Sequence, residues 1–181
     1  QGINRYLGKY LEVDGQLLSI EVSPDGAFIK TKLAEGVEFG SVRVPETITE
    51  FTAMGANGHF VRKPEKGEFK LPVGKYRVNG WEIDRKDDKG ANWKLSGYSF
   101  SKAGNFQVNT GKVASLKVGE PVYAALEAAE SKNEIRFSLG MLGPLGESVQ
   151  IMRGSERPRA PQLQASSLKG DFKATRNFEY G

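Results

Sequence analysis

The sequence contains no cysteine and a single histidine among its 181 residues. Without cysteine, a disulfide framework, a zinc knuckle, a thiolate nucleophile and an iron–sulfur cluster are all excluded. Apolar runs are only a few residues long, far short of the ~18 that a membrane-spanning helix needs, so the sequence predicts no membrane insertion. The net charge of +4 is too small and too interspersed to indicate a nucleic-acid partner.

Because histidine is scarce, the sequence can form few of the known kinds of catalytic site. A Ser-His-Asp or Cys-His site needs an imidazole, and His59 directly follows the Asn57-Gly58 turn, where a solvent-facing strand residue is expected. A glycosidase needs two carboxylates about 5–9 Å apart, and 22 acidic residues make some such pair inevitable without singling one out. The sequence therefore predicts no catalytic residue and no cofactor. A carbohydrate-active hydrolase that uses a carboxylate pair is kept as the alternative.

One segment, Asp84–Asn92, is rich enough in oxygen-bearing side chains to suggest calcium. Its acids fall at positions 1, 4 and 5, which does not match the D-x-D-x-D-G loop. Arg85, Lys86 and Lys89 would also oppose a dication at close range. We therefore expect a solvated hairpin tip and no metal site, with a calcium-stabilised domain as a further hypothesis.

Glycine is abundant, with 22 residues. The glycines occur at expected turns between segments rich in β-branched and aromatic residues. This pattern predicts hairpins and a largely antiparallel sheet. The six strongest turn signals are Asp14-Gly15, Asp25-Gly26, Asn57-Gly58, Lys66-Gly67, Lys89-Gly90 and Thr110-Gly111.

The segments between these turns alternate with a period of two, which is typical of strands. In Ala27–Leu33 the alternation predicts that Ile29, Thr31 and Leu33 face the core. The alanine-rich segment Tyr123–Ser131 has local helix propensity, but turn chemistry on both sides and an alternating segment after it favour a strand.

Strict alternation in Lys75–Asp84 would put Trp81 and Ile83 on the face opposite Tyr76 and Val78. A β-bulge at Asn79-Gly80 would shift the phase and bring all four to one face. We predict this bulge, because it makes Trp81 a core residue.

Strands every 8–12 residues, short loops and no helical crossovers predict an all-β fold, an antiparallel β-sandwich. About fifteen strands are too many for one seven-stranded unit, so we expect two packed immunoglobulin- or transthyretin-like sandwiches. The expected division is an N-terminal β domain or subdomain over residues 1–66 and a C-terminal β-sandwich over residues 67–181. One continuous unit is the alternative.

The run Gly67-Glu68-Phe69-Lys70-Leu71-Pro72-Val73-Gly74-Lys75-Tyr76-Arg77-Val78 resembles the G-x-F-x-L-P-x-G-x-Y-x-V pattern of transthyretin-like and carboxypeptidase-regulatory-like β-sandwich modules. In those modules the run joins two strands through a Pro-Gly turn. The chain as a whole also resembles uncharacterised secreted bacterial proteins that end in a Phe-Glu-Tyr-Gly-like strand. The resemblance implies a β-sandwich in a secreted, periplasmic or cell-envelope protein and implies no activity.

Four aromatic residues on neighbouring predicted strands could form a sugar-binding platform. Strand phase assigns Trp81 and Trp93 to the core and leaves Tyr98 and Phe100 on the opposite face. Trp93 and Tyr98 are the two residues that we single out as candidate ligand contacts.

The sequence thus predicts a non-catalytic β-sandwich module that acts as a spacer or as a binding surface for a protein or a glycan. The chain begins with Gln1 rather than Met, so we expect that a preceding segment was removed. The strand-like rhythm that continues to Gly181 suggests that the natural chain extends further.

Overall fold

A computed structural model describes residues 8–132 and 134–179. These residues form sixteen β-strands and one short 3-10 turn at Lys102–Gly104. The strands are β1 (Tyr10–Val13), β2 (Gln16–Val22), β3 (Ile29–Leu33), β4 (Phe39–Arg43), β5 (Glu50–Gly55), β6 (Gly58–Arg62), β7 (Glu68–Pro72), β8 (Gly74–Lys86), β9 (Asn92–Tyr98), β10 (Asn105–Val108), β11 (Val113–Ser115), β12 (Tyr123–Ser131), β13 (Glu134–Leu142), β14 (Ser148–Arg153), β15 (Gln162–Ser166) and β16 (Lys173–Asn177). Within the described part of the chain, no helix has the length and apolar character that crossing a membrane requires.

The strands form four sheets. The largest has eight strands in the order β12-β13-β14-β9-β8-β5-β6, with β10 also paired to β8. A three-stranded sheet, β11-β4-β7, contributes the opposing layer of the core, and its β11–β4 pair is parallel. A second three-stranded sheet, β1-β2-β3, and a two-stranded sheet, β15-β16, complete the described fold. The predicted all-β antiparallel sandwich is confirmed.

Apolar side chains of the eight-stranded sheet and of the β11-β4-β7 sheet form a single buried cluster. Val42 and Leu71 come from the β11-β4-β7 sheet. Phe51, Phe60 and Trp81 come from the eight-stranded sheet. The cluster draws residues from both sides of the predicted boundary at residue 66, whereas β1–β3 and β15–β16 contribute no fully buried apolar side chain. The division into two domains stays a prediction.

The predicted bulge in β8 is confirmed. Thr52 of β5 pairs with Gly80 and Ala53 pairs with Val78, so Asn79 is the extra residue. The phase shift turns Trp81 inward, where it is 1% exposed. The predicted strand Tyr123–Ser131 is also confirmed, since β12 pairs with β13 along its whole length.

The prediction that Ile29, Thr31 and Leu33 of β3 face the core is wrong. Ile29 and Leu33 are 52% and 57% exposed, and Thr31 is exposed as well. The reason is that β3 pairs only with β2, and no other layer covers its apolar face in the described structure. Alternation defines which residues share a face, but it does not determine whether that face is covered.

Candidate functional site

The two residues singled out from the sequence lie on opposite faces of β9. Trp93 pairs with Arg153 of β14, and Tyr98 pairs with Ser148 of the same strand. Trp93 shares its face with the buried Leu95, as the strand phase predicted, but it is half-buried rather than fully buried. Five residues and a change of face separate Trp93 from Tyr98, so they cannot form one platform.

Trp93 is held within the β8–β9 hairpin by its neighbours. Its indole Nε1–H donates to Asp87 Oδ2 at 3.0 Å, and the Arg153 guanidinium carbon lies 5.8 Å from a Trp93 ring centroid. Asp87 Oδ1 also accepts from the backbone N–H groups of Lys89 and Ala91, each at 2.9 Å. Because Arg153 stacks over the ring, a sugar would have to displace this side chain to reach that face of Trp93.

These contacts give the hairpin a pH dependence. The hydrogen bond from Trp93, followed by that from the Ala91 backbone, holds the pKa of the Asp87 carboxyl below its ordinary 3.8. A lowered pKa in the folded state stabilises the hairpin above the ordinary pKa, and this stabilisation is lost as the pH falls through the lowered value. We expect the indole Nε1–H resonance of Trp93 in NMR spectra to shift with a midpoint below 3.8. Asp87→Asn should remove the transition, and a midpoint at or above 3.8 would contradict the assignment.

Tyr98 lines a cleft in the eight-stranded sheet, at the place where β13 and β14 separate. The cleft has a volume of about 680 Å³ and lies between β13, β14 and the segment that follows β14. Tyr98 is 48% exposed at its wall. Its lining includes Tyr98, Phe137, Leu139, Met141, Ile151, Arg157, Arg159 and Phe178.

The cleft exists because β13 and β14 separate from each other. Leu142 and Ser148 form the only residue pair between these two strands in the described structure. Beyond that pair, β13 remains fully paired to β12 and β14 remains fully paired to β9. The edges of β13 and β14 that face each other therefore have no partner strand.

The backbone of β14 points into this gap at alternate residues. Gly154 N–H donates to Asn92 O, in register with β9, whereas Arg153 N–H donates to Glu156 O, away from β9. Backbone groups alternate in direction along an antiparallel strand, so those of Ile151 point to the same side as those of Arg153. Ile151 therefore offers strand-type hydrogen bonds to the cleft.

The cleft combines an apolar lining with a basic rim. Phe137, Leu139 and Met141 share one face of β13, and Arg157 and Arg159 lie on the segment after β14 that lines the cleft. Arg159 is exposed and forms no ion pair within residues 8–132 and 134–179. The rim also contains one acid, Glu179, so its net charge is positive.

A buried carboxylate stabilises the turn that connects β13 to β14. Glu147 is 0% exposed; its Oε1 accepts from Trp81 Nε1 at 2.8 Å and its Oε2 accepts from Leu145 N–H at 2.9 Å. Gly143 N–H donates to Glu147 O at 2.9 Å and closes the turn. This network anchors the closed end of the cleft to the core.

Glu82 and Asp84 are neighbouring carboxylates on the outer face of β8 that share a cation. Lys94 Nζ lies 2.6 Å from Glu82 Oε2 and 3.6 Å from Asp84 Oδ1. The hydrogen bond to Glu82 raises the pKa of the Lys94 ammonium above its ordinary value. A cation held between two acids makes an ion-pair cluster, which differs from the acid–base pair of a glycosidase.

From the sequence, we also considered His59 as a catalytic residue and Asp84–Asn92 as a calcium site. His59 lies half-buried in β6. In the acidic segment Asp84–Asn92, Asp84 contacts Lys94 and Asp87 bonds within the hairpin. Among the described residues, no group of three or more His, Asp or Glu side chains is placed to hold a metal ion.

Sequence reasoning singled out Tyr98, which lines the cleft, but did not identify the other lining residues. In the sequence Phe137 belongs to an alternating segment, and Arg157 and Arg159 lie beside Pro158 and Pro161, a composition typical of a solvated loop. The sequence does show arginines and prolines together directly after a strand. That this segment lies beside the β13–β14 gap depends on pairing between strands that are distant in sequence.

Comparison with known proteins adds no relative to this description. No protein-family model, no curated protein and no solved structure matches the chain. The likeness of residues 67–78 to transthyretin-like modules therefore stays a resemblance carried by that run alone.

Proposed function

We propose that this chain is a non-catalytic β-sandwich module that binds an extended, acidic segment of a partner protein in the cleft between β13 and β14. The observation that carries the proposal is the single residue pair, Leu142 with Ser148, between two otherwise well-paired strands. Open strand edges bind extended peptides by main-chain hydrogen bonds, a mode known as β-augmentation.

The dimensions and chemistry of the cleft support this occupant. A volume of about 680 Å³ lies within the range of about 300–1,000 Å³ that is usual for ligand sites. The apolar face of β13 suits alternate side chains of a strand, and the basic rim at Arg157 and Arg159 suits carboxylates.

A protein partner is favoured over a glycan because of where the aromatic rings lie. Trp93 is stacked with Arg153 and bonded to Asp87, and it lies on the face opposite Tyr98. We propose a secreted, periplasmic or cell-envelope location for the module, in keeping with the resemblance of residues 67–78 to transthyretin-like modules.

A displayed library of random twelve-residue peptides, selected against the whole chain, tests the proposal. We expect enriched peptides to be acidic and to alternate apolar residues. Tyr98→Ala and Arg159→Glu should each weaken binding of an enriched peptide by about tenfold, measured by isothermal titration calorimetry.

The chain offers matched control residues outside the cleft lining. Tyr123 is 56% exposed on β12, and Lys173 is exposed on β16. Tyr123→Ala and Lys173→Glu should leave peptide affinity unchanged. Enriched peptides that bind Tyr98→Ala and Arg159→Glu as tightly as the parent protein would refute the assignment.

A further inference from the structure

Two of the open strand edges in the described structure, those of β12 and β3, belong to different sheets. The eight-stranded sheet begins at β12 and ends at β6. The separate β1-β2-β3 sheet contacts the turn between β5 and β6, where Lys9 N–H donates to Ala56 O and Tyr10 N–H donates to Asn57 O, both at 2.9 Å. Within residues 8–132 and 134–179, neither β12 nor β3 has a second strand partner, so both are open edges.

The two edges carry opposite charges. Strand β3 has Lys30 and Lys32 and no acid, whereas β12 has Glu127 and Glu130 and no base. Glu21 of β2 lies 3.9 Å from Lys32, but both side chains are mostly exposed, so this contact is weak and leaves β3 positive. Like charges therefore oppose the pairing of β3 with β3 or of β12 with β12.

Both edges also expose apolar side chains that a pairing would cover. Ile29 and Leu33 of β3 are more than half exposed, and Leu126 of β12 is 55% exposed. An antiparallel register that sets Lys32 opposite Glu127 also sets Leu33 opposite Leu126. The same register sets Lys30 opposite Ala129 and Ile29 opposite Glu130. One charge contact, Lys32 with Glu127, and one apolar contact, Leu33 with Leu126, thus favour this pairing.

We propose that the chain associates with further copies of itself head to tail, with the β3 edge of one copy pairing with the β12 edge of the next. Such a contact joins different surfaces on the two partners, so it leaves a free edge at each end and produces open chains rather than closed dimers. The peptide-binding cleft lies on the other side of β13 from β12, so this association does not depend on the proposed function.

Sedimentation velocity over a concentration series tests the association. A contact of about five strand residues is small, so we expect a dissociation constant on the order of 100 µM and a mass that grows past that of a dimer. Lys30→Glu with Lys32→Glu should weaken association by about tenfold, and so should Glu127→Lys with Glu130→Lys. An equimolar mixture of these two variants should associate as the parent protein does, because the reversed edges are again complementary.

The control is Lys112→Glu with Lys117→Glu, which changes the net charge equally at exposed lysines outside both edges. We expect this control to associate as the parent does. A chain that stays monomeric throughout the series, a mass that stops at twice the monomer, or association that both edge variants leave intact would overturn the proposal. None of these results bears on peptide binding, so the two proposals fail separately.

Discussion

Replacing Glu147 with alanine is expected to lower the free energy of unfolding by about 3 kcal/mol. The carboxylate is fully buried and accepts hydrogen bonds from Trp81 Nε1 and from the backbone N–H of Leu145. Its removal leaves the buried Trp81 Nε1–H and the partly buried Leu145 N–H without an acceptor, and a buried donor without an acceptor costs about 1–3 kcal/mol. Urea unfolding followed by tryptophan fluorescence measures the loss.

Glu147→Gln refines this expectation. Its side-chain oxygen can still accept from Trp81, but its amide N–H₂ then meets the Leu145 N–H, so we expect a loss of about 1–2 kcal/mol. Glu156→Gln, at an exposed position, is the control and should be nearly neutral. A Glu147→Ala protein as stable as this control would show that the buried network does not anchor the turn.

Gly97→Ala is expected to be still more damaging, with a loss of at least about 3 kcal/mol or a failure to fold. A Cβ at residue 97 would lie 2.2 Å from Cε2 of Trp81 and 2.3 Å from its Nε1. The indole fills the space above Gly97 and is held there by Glu147, so it cannot move aside without breaking that hydrogen bond. The midpoint of thermal or urea unfolding is the measurement.

Gly140→Ala is the matched control, because Gly140 is also a strand glycine and nothing lies within 4 Å of an added Cβ. We expect a change within about 0.5 kcal/mol. Combining Gly97→Ala with Trp81→Leu should cost less than the sum of the two single changes, since the smaller side chain makes room for the methyl group. Strict additivity would argue against a clash with the indole.

The pattern of residues within a strand and in the turns beside it was sufficient to predict much of the fold. The bulge at Asn79-Gly80 followed from requiring Tyr76, Val78 and Trp81 to share one face, and the register between β5 and β8 confirms it. Strand β12 was predictable despite its alanines, because turn residues bound it and an alternating partner follows. In each case neighbours in sequence carried the information.

The features that sequence reasoning missed depend on contacts between distant segments. The exposure of Ile29 and Leu33 results from the lack of a covering layer, which alternation does not report. The contact between Glu147 and Trp81 spans 66 residues, and turn chemistry alone does not identify its donor. The cleft likewise requires β13 to leave β14 after one residue pair, which is a property of the assembled sheet.

Amide hydrogen exchange along β14, measured by NMR, tests the open edge of the cleft most directly. Gln150 and Met152 lie in register with β9 and direct their backbone groups toward that strand, whereas Ile151 directs its own toward the gap. We expect the Ile151 amide to exchange at least about tenfold faster than its two neighbours in the free protein and to slow when an enriched acidic peptide is added. An Ile151 amide that is as protected as Gln150 without peptide, and unchanged with it, would contradict the account.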